Sequence, residues 1–204
     1  MGHLISVTIV MLFITVTAMM FVTQSPGPSE FALRFTGLWG FVFMAIAAIM
    51  VPYLKGIKTH FGLTSIKVHY IFSYLGLGLT FIHSILPAIS RADIKALLPD
   101  FSSWSDFWSL GGGEIAFMLM VIAFAGILLK PKFKSWRIIH CLMYPMLLLS
   151  LVHATMVGTS FKSIFILIAC YGLFALVVLA FVLKRIRLYS VKKSRNSAVQ
   201  GSDD

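Results

Sequence analysis

Long apolar runs without charged residues constrain the fold of this chain more than any other feature of its sequence. Six runs come close to the roughly 20 residues that a helix needs to cross about 30 Å of hydrocarbon. They are 4–22, 35–54, 68–89, 112–129, 138–157 and 164–183. The composition, 59% hydrophobic and 12% charged, excludes an ordinary soluble domain. Because backbone in lipid must satisfy its own hydrogen bonds, the sequence predicts an all-α, six-helix transmembrane bundle.

The two ends of the chain need separate interpretations. The run 4–22 has an alternative as a cleaved secretory signal, but its leader carries no Lys or Arg, so we expect a retained helix. A single transmembrane domain is predicted at 1–188, followed by a short polar, disordered tail at 189–204. The glycines at 111–113 are predicted to let the chain turn into the fourth run.

The basic residues predict the orientation in the membrane. Thirteen of the 17 Lys and Arg residues follow the second, fourth or sixth run, whereas Arg34, Arg91, Lys95 and Lys162 fall on the other side. By the positive-inside rule, both termini are cytoplasmic, in a multi-pass protein of a prokaryotic plasma membrane. The net charge of +10 is thus explained by the distribution of basic residues across the membrane. Nucleic-acid binding is not indicated, because the sequence has no basic face interleaved with aromatic residues.

Four histidines lie in two of these runs, at two matched depths. The third run has His69 near its inner end and His83 near its outer end, and the fifth run has His140 and His153 in the same order. The two levels are about 21 Å apart on one helix and about 19.5 Å on the other. This arrangement predicts two haems stacked across the bilayer, each held by one histidine from each helix.

Helical phase agrees with this hypothesis for one pair and not for the other. Fourteen residues turn a helix within about 40° of four turns, so His69 and His83 share a face. Thirteen residues leave about 140° of mismatch between His140 and His153. Pro145 lies between them, and a proline kink there is expected to change the phase of the helix.

Two alternatives to haem remain at this point. The histidines could be packing residues that hydrogen-bond between helices. They could also form two separate His–His metal sites, because pairs about 20 Å apart cannot share one ion. No Cys-x-x-Cys-His motif occurs, so any haem b would be bound non-covalently.

The chain resembles the ferric reductase-like transmembrane domain family in four features. They are the two histidine pairs, the TrpArg-x-x-His pattern at 136–140, ThrGly-x-Trp at 36–39 and ProTyrLeu at 52–54. This family includes the membrane parts of ferric reductases and NADPH oxidases and the haem subunit of the methionine sulfoxide reductase system. The resemblance implies transmembrane electron transfer, with His69 and His140 holding the inner haem and His83 and His153 the outer. Arg137 is placed for an inner propionate and Arg34 for an outer one. Plain interfacial anchoring is the alternative for both arginines.

Departures from the family pattern bear on partners. Complete family enzymes carry a flavin and nicotinamide domain after the sixth helix, whereas about twenty residues follow it here. The expected electron donor is a separate cytoplasmic flavin reductase or a quinol. The oxidases also carry a histidine where this chain has Pro87, so dedicated superoxide production is not expected. The acceptor is left open among a ferric chelate, a periplasmic protein and oxygen, and a non-redox membrane protein with packing histidines is the rival hypothesis.

Overall fold

A computed structural model describes residues 27–51, 65–93, 97–98, 103, 112–132 and 134–200. Over these residues the chain forms five α-helices: α1 (Pro28–Met50), α2 (Ser65–Arg91), α3 (Gly112–Leu128), α4 (Trp136–Val157) and α5 (Ile164–Gln200). All but α3 are long and apolar enough to cross a membrane, and α3 is a shorter apolar helix. The all-α, multi-pass prediction is therefore confirmed, but a six-helix bundle is not shown, since the predicted span 4–22 lies outside the described residues.

Two helices extend further than their apolar runs. Helix α1 begins at Pro28 rather than at 35, because proline suits the first turn of a helix and Glu30 pairs with Arg34 one turn later. Helix α5 is 37 residues long and continues to Gln200, through most of the segment predicted as a polar tail. In both cases the helix includes a polar segment, residues 28–34 of α1 and 184–200 of α5, that hydropathy alone assigns to a loop.

Helices α1 and α2 are antiparallel and lie in close contact. A Cβ on Gly40 would lie 2.5 Å from Thr80 Oγ1, and one on Gly76 would lie 2.6 Å from Met44 Cγ. Both positions therefore require glycine for the two backbones to approach this closely, as is usual between membrane helices. The pairing of 40 with 80 and of 44 with 76 fixes the register between the helices.

The remaining helices complete a small core around α1. Helix α3 packs along α4, and α5 packs against α1. The most deeply buried side chains include Ala45, Met120, Met146, Leu147 and Val177, one or more from each of these four helices. In contrast, α2 and α5 expose rows of large apolar side chains, which suits helices that face lipid.

Helix α4 is interrupted between His140 and Met143. Its two parts are Trp136–His140 and Met143–Val157, joined by a turn. Pro145 explains the break, because it has no N–H to bond with the carbonyl of Cys141, which instead accepts from the Tyr144 N–H at 3.1 Å. Tightened i→i−3 bonds of this kind advance the chain by about 20° more per residue, so the break turns the helix in the direction that reduces the His140–His153 mismatch.

Candidate cofactor-binding site

A cavity of about 400 Å³ lies between α1, α2, α3 and α4 and is lined by both His83 and His153. Its walls are mainly apolar, formed by residues such as Leu38, Phe41, Ala116, Phe117 and Leu147. Polar groups from Glu30, Arg34, Glu114, Thr159 and Ser160 also line it. The structure thus brings together the two histidines predicted for the outer level, in a space of the size and polarity typical of a cofactor site.

Backbone carbonyls of α1 hold both histidines of α2. The His83 Nδ1–H donates to the Leu33 carbonyl at 2.9 Å, and the His69 Nδ1–H donates to the Ala47 carbonyl at 3.0 Å. The two acceptors are 14 residues apart, as are the two histidines, so one antiparallel register serves both bonds. Because Nδ1 carries the proton in each ring, Nε2 has its lone pair available, which is the tautomer that metal-ligating histidines adopt.

Two glycines make room for the outer imidazoles. A Cβ on Gly37 would lie 2.8 Å from Cε1 and Nδ1 of His83, and a Cβ on Gly113 would lie 2.8 Å from the same atoms of His153. Gly113 therefore does more than let the chain turn into α3: its lack of a side chain determines where the His153 ring can lie.

The inner-level histidines are also brought near each other. His69 and His140 lie close enough for their charged forms to repel each other, and Lys184 lies near both rings. The Nδ1 atom of His140 is buried and has no hydrogen-bond partner within the described part of the chain. His69 Nε2 has only a long contact, 3.5 Å, with Ser73 Oγ.

The two candidate arginines have different surroundings. The Arg34 side chain is 8% exposed, lines the outer cavity and forms an ion pair with Glu30. Arg137 is exposed, and its guanidinium carbon lies 5.5 Å from the centre of the Trp136 ring, which Lys130 also approaches. Arg34 is thus positioned at a buried site, whereas Arg137 has the surroundings of an interfacial anchor.

The residues present fit a bis-histidine haem. At the outer level, two imidazoles share an apolar cavity with a buried cation, and the buried Ser160 Oγ has no partner among the described residues. At the inner level, His140 Nδ1 is a buried polar atom without a partner in the same part of the chain. Among the described residues, no group of three or more His, Cys, Asp or Glu side chains could hold a metal ion.

Fold and site together define a polytopic helical membrane protein with paired histidines in its interior. No family model, curated protein or solved structure matches the chain. Function therefore has to be argued from the site itself.

Sequence reasoning missed the groups that support the histidines. The carbonyls of Leu33 and Ala47 carry no sequence signal, because any residue supplies a carbonyl. Gly37 stands within the ThrGly-x-Trp motif, and Gly113 ends the glycine run at 111–113, so both were visible as glycines but not as neighbours of a ring. Lys184 was visible only as one of several basic residues after the sixth run.

Proposed function

We propose that the chain is a di-haem b-type membrane cytochrome, the haem subunit of a ferric reductase-like system, which carries electrons from a cytoplasmic donor to an external acceptor. The observation that carries this proposal is the shared cavity of His83 and His153, with the His83 ring held in the tautomer that leaves Nε2 free. Haem iron with two axial imidazoles supplies reversible one-electron transfer without an open site for substrate.

Each level of the protein supplies its own ligands and charge partners. His83 and His153 would hold the outer haem, and His69 and His140 the inner one. Arg34 offers a buried cation for an outer propionate. At the inner level, Lys184 supports a role as propionate partner better than Arg137 does, because Lys184 is half-buried and lies near both inner rings, whereas Arg137 is exposed.

The predicted topology puts the electron donor on the cytoplasmic side of the membrane and the acceptor on the external side. A cytoplasmic flavin reductase would meet a basic inner surface that includes Lys130, Lys132, Lys134 and Arg137, and long-range attraction to an acidic protein would favour that encounter. A quinol is the alternative donor, and ferric chelates, a periplasmic protein or oxygen are the candidate acceptors. Rapid reduction by a quinol in liposomes without any flavoprotein would select the quinol.

Haem content of the purified protein tests the proposal directly. The protein, expressed with ample haem precursor and purified in mild detergent, should contain two haems per chain and show a reduced b-type spectrum. Replacement of His83 or His153 by Ala should remove the outer haem and leave one haem per chain, whereas His60→Ala, outside the four, should leave two. Colourless wild-type protein would instead support a non-redox membrane protein with packing histidines.

A further inference from the structure

Gly37 on α1 and Gly113 on α3 each lie against one outer imidazole, although neither helix carries any of the four histidines. The ring atoms that a new Cβ would meet are Nδ1, Cε1 and Nε2, at 2.8, 2.8 and 3.3 Å for His83 and at 2.8, 2.8 and 3.0 Å for His153. A Cβ is essentially never found this close to a ring, so a side chain at either position requires the imidazole, or the helix that carries it, to shift.

The His83 ring is restrained by two groups on one face of α1. Leu33, whose carbonyl accepts the Nδ1–H bond, is four residues before Gly37 and therefore one helical turn away. The hydrogen bond limits rotation of the ring, and contact with Gly37 limits its approach to the helix. A displaced ring would have to lengthen or bend the 2.9 Å bond.

The inner level lacks this arrangement. The residue one turn after Ala47, the acceptor for His69, is Val51 rather than glycine. On α3, the glycine nearer the inner end is Gly126, and its Cβ would meet Ile139 Cγ2 at 2.6 Å rather than a histidine. Close glycine contact is therefore a property of the outer pair of imidazoles within the described residues.

We propose that Gly37 and Gly113 are positioning residues that set the orientation of the His83 and His153 rings, and through it the electronic properties of the outer haem. This inference rests on the proposed function. Ring orientation matters for two reasons. The angle between the planes of two axial imidazoles governs the magnetic anisotropy of a low-spin ferric haem, and ligand geometry contributes to the reduction potential of the haem.

The test compares Gly37→Ala and Gly113→Ala with wild type by electron paramagnetic resonance and by potentiometric titration. In each variant, the largest g value and the midpoint potential of one haem should shift, while those of the other haem stay unchanged. Loss of the outer haem alone would also support the inference, because a displaced ring cannot ligate.

A further glycine supplies the control. Gly78→Ala, on α2, adds a Cβ into open space and should keep the wild-type signals. Unchanged signals in the Gly37 and Gly113 variants, the same shift in Gly78→Ala, or loss of both haems would overturn the inference. Wild-type protein without haem would overturn the proposed function itself, which separates the two failures.

Discussion

Arg34 differs from the other candidate arginine in its burial, and this difference could not be read from the sequence. Both Arg34 and Arg137 stand at the end of an apolar run, where interfacial anchoring and cofactor binding look alike. Only the packing of α1 places the Arg34 side chain in the cavity of His83 and His153. The residue types at the candidate site were predictable from spacing, but the supporting carbonyls and the burial of each charge depend on helix rotation.

Replacement of Arg34 by Gln should weaken binding of the outer haem by about 10- to 100-fold, because a hydrogen bond to a charged group contributes about 1.5–3 kcal/mol. The measurement is a haem titration of the apoprotein. Arg137→Gln is the control, and its effect should be small because its guanidinium is exposed. Equal effects of the two variants would contradict a special role for Arg34.

At the scale of the helix, Pro145 in α4 accounts for a change of helical phase between His140 and His153. An ideal helix cannot point His140 and His153 the same way, and the observed break, at residues 141 and 142, lies about one helical turn before Pro145. The sequence located the proline and predicted a change of phase, but not the residues at which the helix would break. The position of the break depends on which carbonyl lacks the N–H donor four residues later, and here that carbonyl belongs to Cys141.

Pro145→Ala should restore the Cys141 carbonyl bond, straighten α4 and rotate its two histidines apart. The expected result is a variant that folds but contains one haem per chain, measured from the absorbance of the reduced protein. Pro131→Ala, in the exposed turn between α3 and α4, should retain both haems. Retention of two haems with wild-type spectra in Pro145→Ala would show that the break is not needed for ligation.

Contact between α1 and α2 also belongs to this scale. Gly76→Ala should lower the free energy of unfolding in detergent by about 1–3 kcal/mol, and with it the melting temperature. The reason is that its Cβ would lie 2.9 Å from the backbone nitrogen of Met44. Gly78→Ala meets nothing within 4 Å and should be neutral or slightly stabilising, by up to about 1 kcal/mol, through better helix propensity. Similar melting temperatures for the two variants would argue against close packing at Gly76.

For the whole molecule, hydropathy and charge predicted most of the architecture. Five of the six apolar runs correspond to helices in the described residues, because about 20 uncharged apolar residues in lipid have few other conformations available. The order in which helices pack could not be predicted this way, since lipid-facing and protein-facing apolar side chains look alike in composition. The extension of α5 to Gln200 was likewise missed, as its residues are polar.

Cysteine labelling tests the predicted orientation. In a background with Cys141 and Cys170 replaced by Ala, Lys162→Cys should react with a membrane-impermeant maleimide added to intact cells. Lys132→Cys should react only after permeabilisation, because the positive-inside rule places the α3–α4 turn in the cytoplasm. Both lysines are exposed, so accessibility to the reagent is comparable once the membrane is open. The reverse labelling pattern would invert the proposed direction of electron flow.

Because His69 and His83 both donate hydrogen bonds to carbonyls of α1, the position of this one helix affects the histidines at both depths of the membrane. Sliding α1 by a fraction of a turn would stretch the tethers at Ala47 and Leu33 together rather than one after the other. A change in bilayer thickness alters the tilt and height of helices, so it would change the hydrogen-bond geometry of His69 and His83 at the same time.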